Sequence, residues 1–471
     1  MSASLDGAAS RRRTAGERVA VALLTVVGLL LAGCTRSVDG EPAAAPPVLD
    51  QGPRATVQGG TGSPDDRLAA DLVVGTEGFW RDAFPRDFRR PWINIHGYFA
   101  VDPKDPHATV PCVRQTPDLR DQALYCPERD IMAWDRVTLI PRLVNSYGPG
   151  AVLVALAHEM GHAVQNRIGI DATTQVIEKE QYPTILLEGM ADCFAGSVMR
   201  AAVDGRLPKV SLSVAERDRG LRALLSLRDP ISLGRVLPDK AHGDGFDRAS
   251  AFTDGYLNGP TTCAAMTVQN QVFTQRGYSS FSDEVAGGNL PLDDLVRFLS
   301  DNAGAWFGQL VTSRGRHWQA PSLQVDGDRG CAGANTARQG PAAFCPSSNT
   351  LSMSATQLRV EHDSIGDYAS GAVVVSRYAL AALAAVGRPL RGPDAAHTAL
   401  CLTGAYTRAV FDGKTGFGLS PGDIDEAVDE LLDHDFAARD ITGTAPAGDL
   451  GFDRIQQFRT GVLKGSDGCG L

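Results

Sequence analysis

The 471-residue chain has no excess of positive charge, since 45 Lys and Arg stand against 55 Asp and Glu for a net charge of −10. That balance excludes nucleic acid as the main partner. The chain also lacks the composition of a disordered polypeptide. Hydrophobic residues make up 43% of it and charged residues only 21%, enough to build ordinary cores. Beyond residue 33 no apolar run is long enough to span a bilayer. The cysteine count is not even, so the nine cysteines cannot all pair within the chain. The length is too great for one small domain and suggests two or three.

What is present begins with an address. Arg11, Arg12, Arg13 and Arg18 form a basic segment, and an apolar stretch follows from Val19 to Ala32. This has the form of a signal peptide and is short for a transmembrane helix. It ends in Leu31-Ala32-Gly33-Cys34, which resembles the bacterial lipobox. The resemblance implies a lipoprotein signal peptide over 1–33 and a lipid on Cys34, the new N-terminus. The protein is then exported and lipid-anchored at the outer face of the bacterial cytoplasmic membrane, where disulfides persist. Residues 34–66 are rich in Ala, Pro, Gly, Asp and Ser without apolar periodicity, and read as a flexible linker.

The body is written twice. Gly245-Phe246-Asp247-Arg248 is followed by Phe252, Gly255, Leu257, Gly259 and Cys263; Gly451-Phe452-Asp453-Arg454 is followed at identical spacing by Phe458, Gly461, Leu463, Gly465 and Cys469. Cys112 and Cys126-Pro127 match Cys331 and Cys345-Pro346, and Cys193 and Gly196 match Cys401 and Gly404. This order predicts a tandem duplication over 67–270 and 280–471. With Cys34 set apart, four cysteines fall in each unit. Connectivity does not follow from four cysteines alone. The favoured pairing is Cys112–Cys126 with Cys193–Cys263, and Cys331–Cys345 with Cys401–Cys469; the alternative leaves some as free thiols.

The chemistry lies in the first unit. Residues 151–168 read as a buried helix containing His158-Glu159-Met160-Gly161-His162. Positions i and i+4 share a helical face, so both imidazoles can reach one metal ion, while Glu159 can take a proton from an activated water. Catalytic zinc needs a third protein ligand. The metzincin pattern is excluded, because Gln165 and Ile168 stand where it requires Gly and His. A second apolar helix, from Leu186 to Ala195, carries Glu188 and Asp192 on one face. Glu188 is assigned to the metal, and Asp192 to a hydrogen bond that orients a ligating histidine. The alternatives are an exposed acid pair, or Asp192 as the ligand. His242, in Ala241-His242-Gly243-Asp244, is a candidate to stabilise the oxyanion, the alternative being an exposed loop histidine.

HEMGHAVQN, LLEGMADCFAG and the later His-Gly together resemble the neutral zinc metallopeptidase family of bacteria, and more widely the gluzincins. The resemblance covers roughly residues 69–263. It implies an α+β, zincin-like fold, mainly helical with a small sheet in each unit, one Zn2+ per chain and a peptide or protein substrate. Gly189-Met190 departs from it, since family members usually carry Leu-Gln there.

The second unit lacks this set. Counting from Gly169 and Gly387, His158 falls on Ser376, Glu159 on Arg377 and His162 on Leu380, and no Glu-x-x-x-Asp lies near Cys401. It reads as a degenerate, metal-free copy that packs on the first, shapes the cleft or binds an envelope protein. Arg248 recurs as Arg454 and is read as structural. The expected function is a membrane-anchored zinc metallopeptidase. The alternatives are a non-catalytic binding or scaffold lipoprotein with a structural metal, and a zincin acting on a non-peptide bond.

Overall fold

Ser63 opens the first long helix. Its hydroxyl accepts the N–H of Asp66, Pro64 sits in the first turn, and Asp65 and Asp66 meet the positive end of the helix dipole. In the computed structural model, residues 56–231, 242–327 and 329–471 are described. The signal peptide 1–33, Cys34 and the linker up to residue 55 lie outside the described residues.

The N-terminal half is built mainly from β1 (Val57–Gln58), α1 (Pro64–Phe88), β2 (Gly97–Val101), β3 (Ala123–Cys126), β4 (Ile131–Asp135), α2 (Leu139–Tyr147), α3 (Pro149–Ile168), α4 (Thr184–Val203), α5 (Val214–Ser226) and α6 (Gly245–Asn258). Its strands are ordered β1-β2-β4-β3, with β3 alone antiparallel, so one side of β3 is a free edge. Val57–Gln58 pairs with β2, so the last residues of the stretch 34–66 belong to the folded body.

The C-terminal half has α7 (Leu292–Ser313), β5 (Ser322–Val325), β6 (Ala342–Cys345), β7 (Thr350–Met353), α8 (Ala355–Ser364), α9 (Asp367–Ala385), α10 (Pro393–Phe411), α11 (Asp423–Asp433) and α12 (Gly451–Lys464). Here β5 lies parallel to β7 and β6 antiparallel to it. The architecture is α+β and mainly helical, with one small sheet in each half. Contrary to the reading that no run beyond residue 33 could span a bilayer, helix α9 is long and apolar enough to cross a membrane by length and composition, but it is a core helix buried within the protein.

Four cysteine pairs stand at disulfide distance: Cys112–Cys126, Cys193–Cys263, Cys331–Cys345 and Cys401–Cys469. The long loops tie α4 to the short helical turn after α6, and α10 to the turn after α12. Glycine lets these helices touch backbone to backbone. A Cβ on Gly255 would stand 1.7 Å from the Cys193 carbonyl oxygen, and one on Gly461 would stand 1.8 Å from that of Cys401.

The halves meet reciprocally. Asp425 of α11 accepts the N–H groups of Gly245 and Phe246 at 2.7 and 2.8 Å, capping α6. Asp218 of α5 accepts the N–H of Phe452 at 3.2 Å, at the start of α12. Phe246 meets Phe458 with ring centroids 6.5 Å apart, and Phe452 meets Phe252 at 6.4 Å. This is the i-to-j, j-to-i pattern of a two-fold interface, made within one chain. One large apolar core runs through both halves, and a second, smaller cluster with Val101, Leu119 and Ile131 lies on the N-terminal sheet.

Candidate metal centre

Gly161, inside the His158–His162 pentapeptide, sets the geometry. A Cβ there would lie 2.9 Å from the Cα of Ala191, so α3 and α4 cross almost in backbone contact. That crossing brings Glu188 onto the two histidines. One ligand atom from each of His158, His162 and Glu188 lies within 4.8 Å of the others. Nε2 of His158 is 3.1 Å from Oε2 of Glu188, and Nε2 of His162 is 3.7 Å from Oε1.

The far nitrogens are held from behind. Asp192 Oδ1 accepts from Nδ1 of His158 at 2.7 Å, and Gln165 Oε1 accepts from Nδ1 of His162 at 3.1 Å. Gln165 in turn donates to the Leu187 carbonyl. Holding each Nδ1 from behind turns both Nε2 atoms toward Glu188, where they can bind a metal in place of a proton. Asp192 is wholly buried, and Arg248 grips it through Nε at 2.8 Å and Nη2 at 2.9 Å. A third Arg248 nitrogen donates to the Leu227 carbonyl.

Charge follows from this packing. Burial works against an imidazolium at His158, but Asp192 and Glu188 outweigh it and its pKa is pushed up to about 10. Burial likewise opposes the Glu188 charge, yet His162 and then His158 hold it below the usual carboxylate range. Asp192 is held low by Arg248 and His158 against the same penalty. Glu159 is pushed up by burial, with both histidines pulling the other way.

Two observations fit a metal in this place. The donors are two imidazoles and a carboxylate, a set typical of catalytic zinc with one position left open. Among the described residues, the buried Glu188 Oε2 has as its near polar neighbour only Nε2 of His158 at 3.1 Å, itself a ligand atom. The other candidate group in this half, Cys112, Cys126 and Glu128, is closed to a metal by its disulfide.

Glu159 reaches the free edge of the sheet, where its Oε2 accepts the Tyr125 N–H at 2.8 Å. A cleft of about 220 Å³ opens beside it, lined among others by Gln122, Ala123, His158, Glu159, His242 and Arg248. His242 is half exposed; its Nδ1 faces Asp229 Oδ1 at 3.0 Å and its N–H donates to the same carboxylate. The structure thus brings His158, Glu159, His162, Glu188, Asp192 and His242 together around the middle of α3.

Sequence reasoning missed three participants. Gln165 lies one turn beyond His162 on the same face, a signal that helical spacing carries. Asp229 had no signal. Arg248 was set aside because Arg454 matches it, but the two do different work: Arg454 donates to main-chain carbonyls, including Leu431 at 2.7 Å. The place matching the cleft is closed in the C-terminal half. Arg377 is fully buried and donates to the carbonyls of Phe436 and Arg439. Where Tyr125 N–H meets Glu159, Phe344 N–H meets Gln339 at 2.9 Å, and Gln339 donates onward to the Ile441 carbonyl.

Compared with family models, curated proteins and solved structures, the chain matches none of them.

Proposed function

We propose that this chain is a lipid-anchored, zinc-dependent peptidase of the bacterial cell envelope, built from a duplicated zincin-like fold with chemistry in the first copy only. The observation that carries the reading is the convergence of His158, His162 and Glu188 with Glu159, where His158 and Glu159 line a cleft. A metal kept for structure needs ligands but no base, and fills all four positions.

His158, His162 and Glu188 would hold one zinc ion per chain. When bound, zinc supplies Lewis-acid activation of a water and of the scissile carbonyl. Glu159 takes the water proton and passes it to the leaving amine, a task suited to a carboxylate whose affinity for protons burial has raised. Asp192, locked by Arg248, keeps His158 in one tautomer. His242, steadied by Asp229, faces the cleft and stabilises the negative charge that develops on the carbonyl oxygen. The outer edge of β3 borders the cleft and suits an extended peptide as an added strand.

Duplication is supported by the matched runs of helix and strand, the paired disulfides and the reciprocal contacts of Asp218 and Asp425. The second copy supplies the cap of the helix that carries Arg248. Lipidation of Cys34 and export rest on the lipobox resemblance.

The test is incubation of the detergent-purified, zinc-loaded full chain with a mixed peptide library, read by mass spectrometry. New termini should appear, vanish with a zinc chelator and return with zinc. No new termini from a zinc-loaded chain would leave the binding-lipoprotein reading in its place.

A further inference from the structure

At the start of α9 the C-terminal half gathers three carboxylates. Asp367 is the first residue of α9, Asp423 is the first of α11, and Glu426 lies one turn further along α11. One oxygen from each lies within 4.8 Å of the others. Asp367 is 2% exposed and Asp423 5%, while Glu426 keeps a path to solvent.

Main-chain donors account for one oxygen of each. Leu290 N–H reaches Asp367 Oδ2, Ser420 N–H reaches Asp423 Oδ2, and Tyr368 N–H reaches Glu426 Oε2, each at 2.8 Å. The remaining oxygens of the two aspartates, Asp367 Oδ1 and Asp423 Oδ1, are buried and find no donor group among the described residues; Asp367 meets only the Glu426 carboxyl, a contact that needs a shared proton to bond. A buried, unsatisfied carboxylate oxygen is costly, and two beside a third carboxylate are more so. The neighbouring base does not resolve this, since the ring nitrogens of His362 bond the Leu290 carbonyl and Asp363.

The matching corner of the N-terminal half solves the problem differently. Gly148 and Gly366 both precede the long helices with positive φ, 86° and 150°. Counting from them, Pro149 stands where Asp367 stands. Counting from Asp218 and Asp425, Glu216 stands where Asp423 does and Arg219 where Glu426 does. In the first half Glu216 accepts the Gly150 N–H at 3.1 Å and Arg219 pairs with it. One carboxylate there is neutralised by one guanidinium. In the second half the guanidinium has become a third carboxylate.

We propose that Asp367, Asp423 and Glu426 bind a divalent cation of the calcium class, which supplies the positive charge that Arg219 supplies in the first half. Calcium–oxygen distances of about 2.4 Å let two ligands of one ion lie at most about 4.8 Å apart, and the three carboxylate oxygens fall within that limit. An all-oxygen, carboxylate set selects calcium or magnesium over zinc. Water entering past Glu426 completes the shell. This site is independent of the peptidase reading.

The test is calorimetric titration of the zinc-loaded full chain with calcium chloride, and separately with magnesium chloride. Asp423→Asn and Glu426→Gln probe the site, and Glu216→Gln is the control at the matching corner. The wild type and the control should bind one calcium per chain and melt higher with it. Either site variant should bind at least about tenfold more weakly, and in chelator should melt no lower than wild type, because a repelling charge is gone. Should a variant not fold, terbium luminescence excited through the adjacent Tyr368 decides on the wild type alone. The proposal is overturned by no binding up to about 10 mM calcium, by no terbium signal that calcium displaces, or by binding undiminished in Asp423→Asn. Variants that melt higher while calcium does nothing would instead identify a proton-sharing acid cluster.

Discussion

Arg248 grips the carboxylate of Asp192 with two nitrogens, at 2.8 and 2.9 Å, while Asp192 holds Nδ1 of His158 at 2.7 Å. The chain of contacts runs further back, because the helix carrying Arg248 is capped by Asp425 from the other half. The position of one histidine is therefore set through Asp192, through Arg248, and through the capped helix behind them.

Arg248→Ala would strand a buried carboxylate, and should cost about 3–5 kcal/mol of stability. Arg248→Lys keeps the charge but loses the planar fork. That variant should fold and bind zinc about 10–100-fold more weakly, as measured by competition with a chromogenic chelator. Arg454→Lys, whose contacts are carbonyls far from the metal centre, should leave zinc affinity unchanged.

The interface between the halves should respond to pH. Burial, reinforced by Asp244, pushes the Asp425 carboxyl up to about 8, and burial pushes Asp247 up to about 7. In the unfolded chain both titrate near the ordinary aspartate value of about 3.9. Between those limits the folded protein keeps protons that the unfolded chain releases. Their contribution to stability is therefore full below about pH 4 and is lost as pH rises toward 8. Asp425→Asn removes the larger share, so the difference in Tm between wild type and variant should change across pH 5 to 8, with the wild type losing more. Melting curves followed by circular dichroism measure this, and parallel pH profiles would contradict it.

Two glycines in the same pair of packed helices should behave oppositely. Gly255→Ala would drive a methyl group to 1.7 Å from the Cys193 carbonyl oxygen. It should cost at least the about 1–3 kcal/mol of ordinary overpacking. A Cβ on Gly189 meets nothing nearer than the Met266 methyl at 3.6 Å and the Ala251 Cβ at 3.8 Å. Gly189→Ala should stabilise by about 0.5–1 kcal/mol through helix propensity. The glycine beside Glu188 is thus not demanded by close packing, whereas Gly161 beside the histidines is.

The legible part of the site was the part written in local spacing. His158 and His162 sit four apart on a helix, and so do Glu188 and Asp192, so their shared faces followed from helical geometry alone. The repeated cysteines suggested the four pairs that stand at bonding distance. What spacing does not encode is contact between segments far apart in the chain. Asp425 lies 180 residues from the Gly245 N–H that it accepts, and nothing local marks it as a cap. Arg248 was read as structural because it recurs as Arg454; recurrence did not reveal its partner, because the position matching Asp192 holds a leucine, Leu400. The end of the linker was misjudged because a two-residue strand, Val57–Gln58, gives no periodic signal.

The central claim is that Glu159 moves the proton in peptide hydrolysis at a metal held by His158, His162 and Glu188. The most direct measurement compares peptide cleavage by wild type and Glu159→Gln at matched zinc content. The substitution removes the base and leaves every proposed ligand. The account predicts equal zinc occupancy and a cleavage rate lower by at least the about 10²–10⁴-fold expected for loss of a general base. Equal rates in the two zinc-loaded proteins would contradict it.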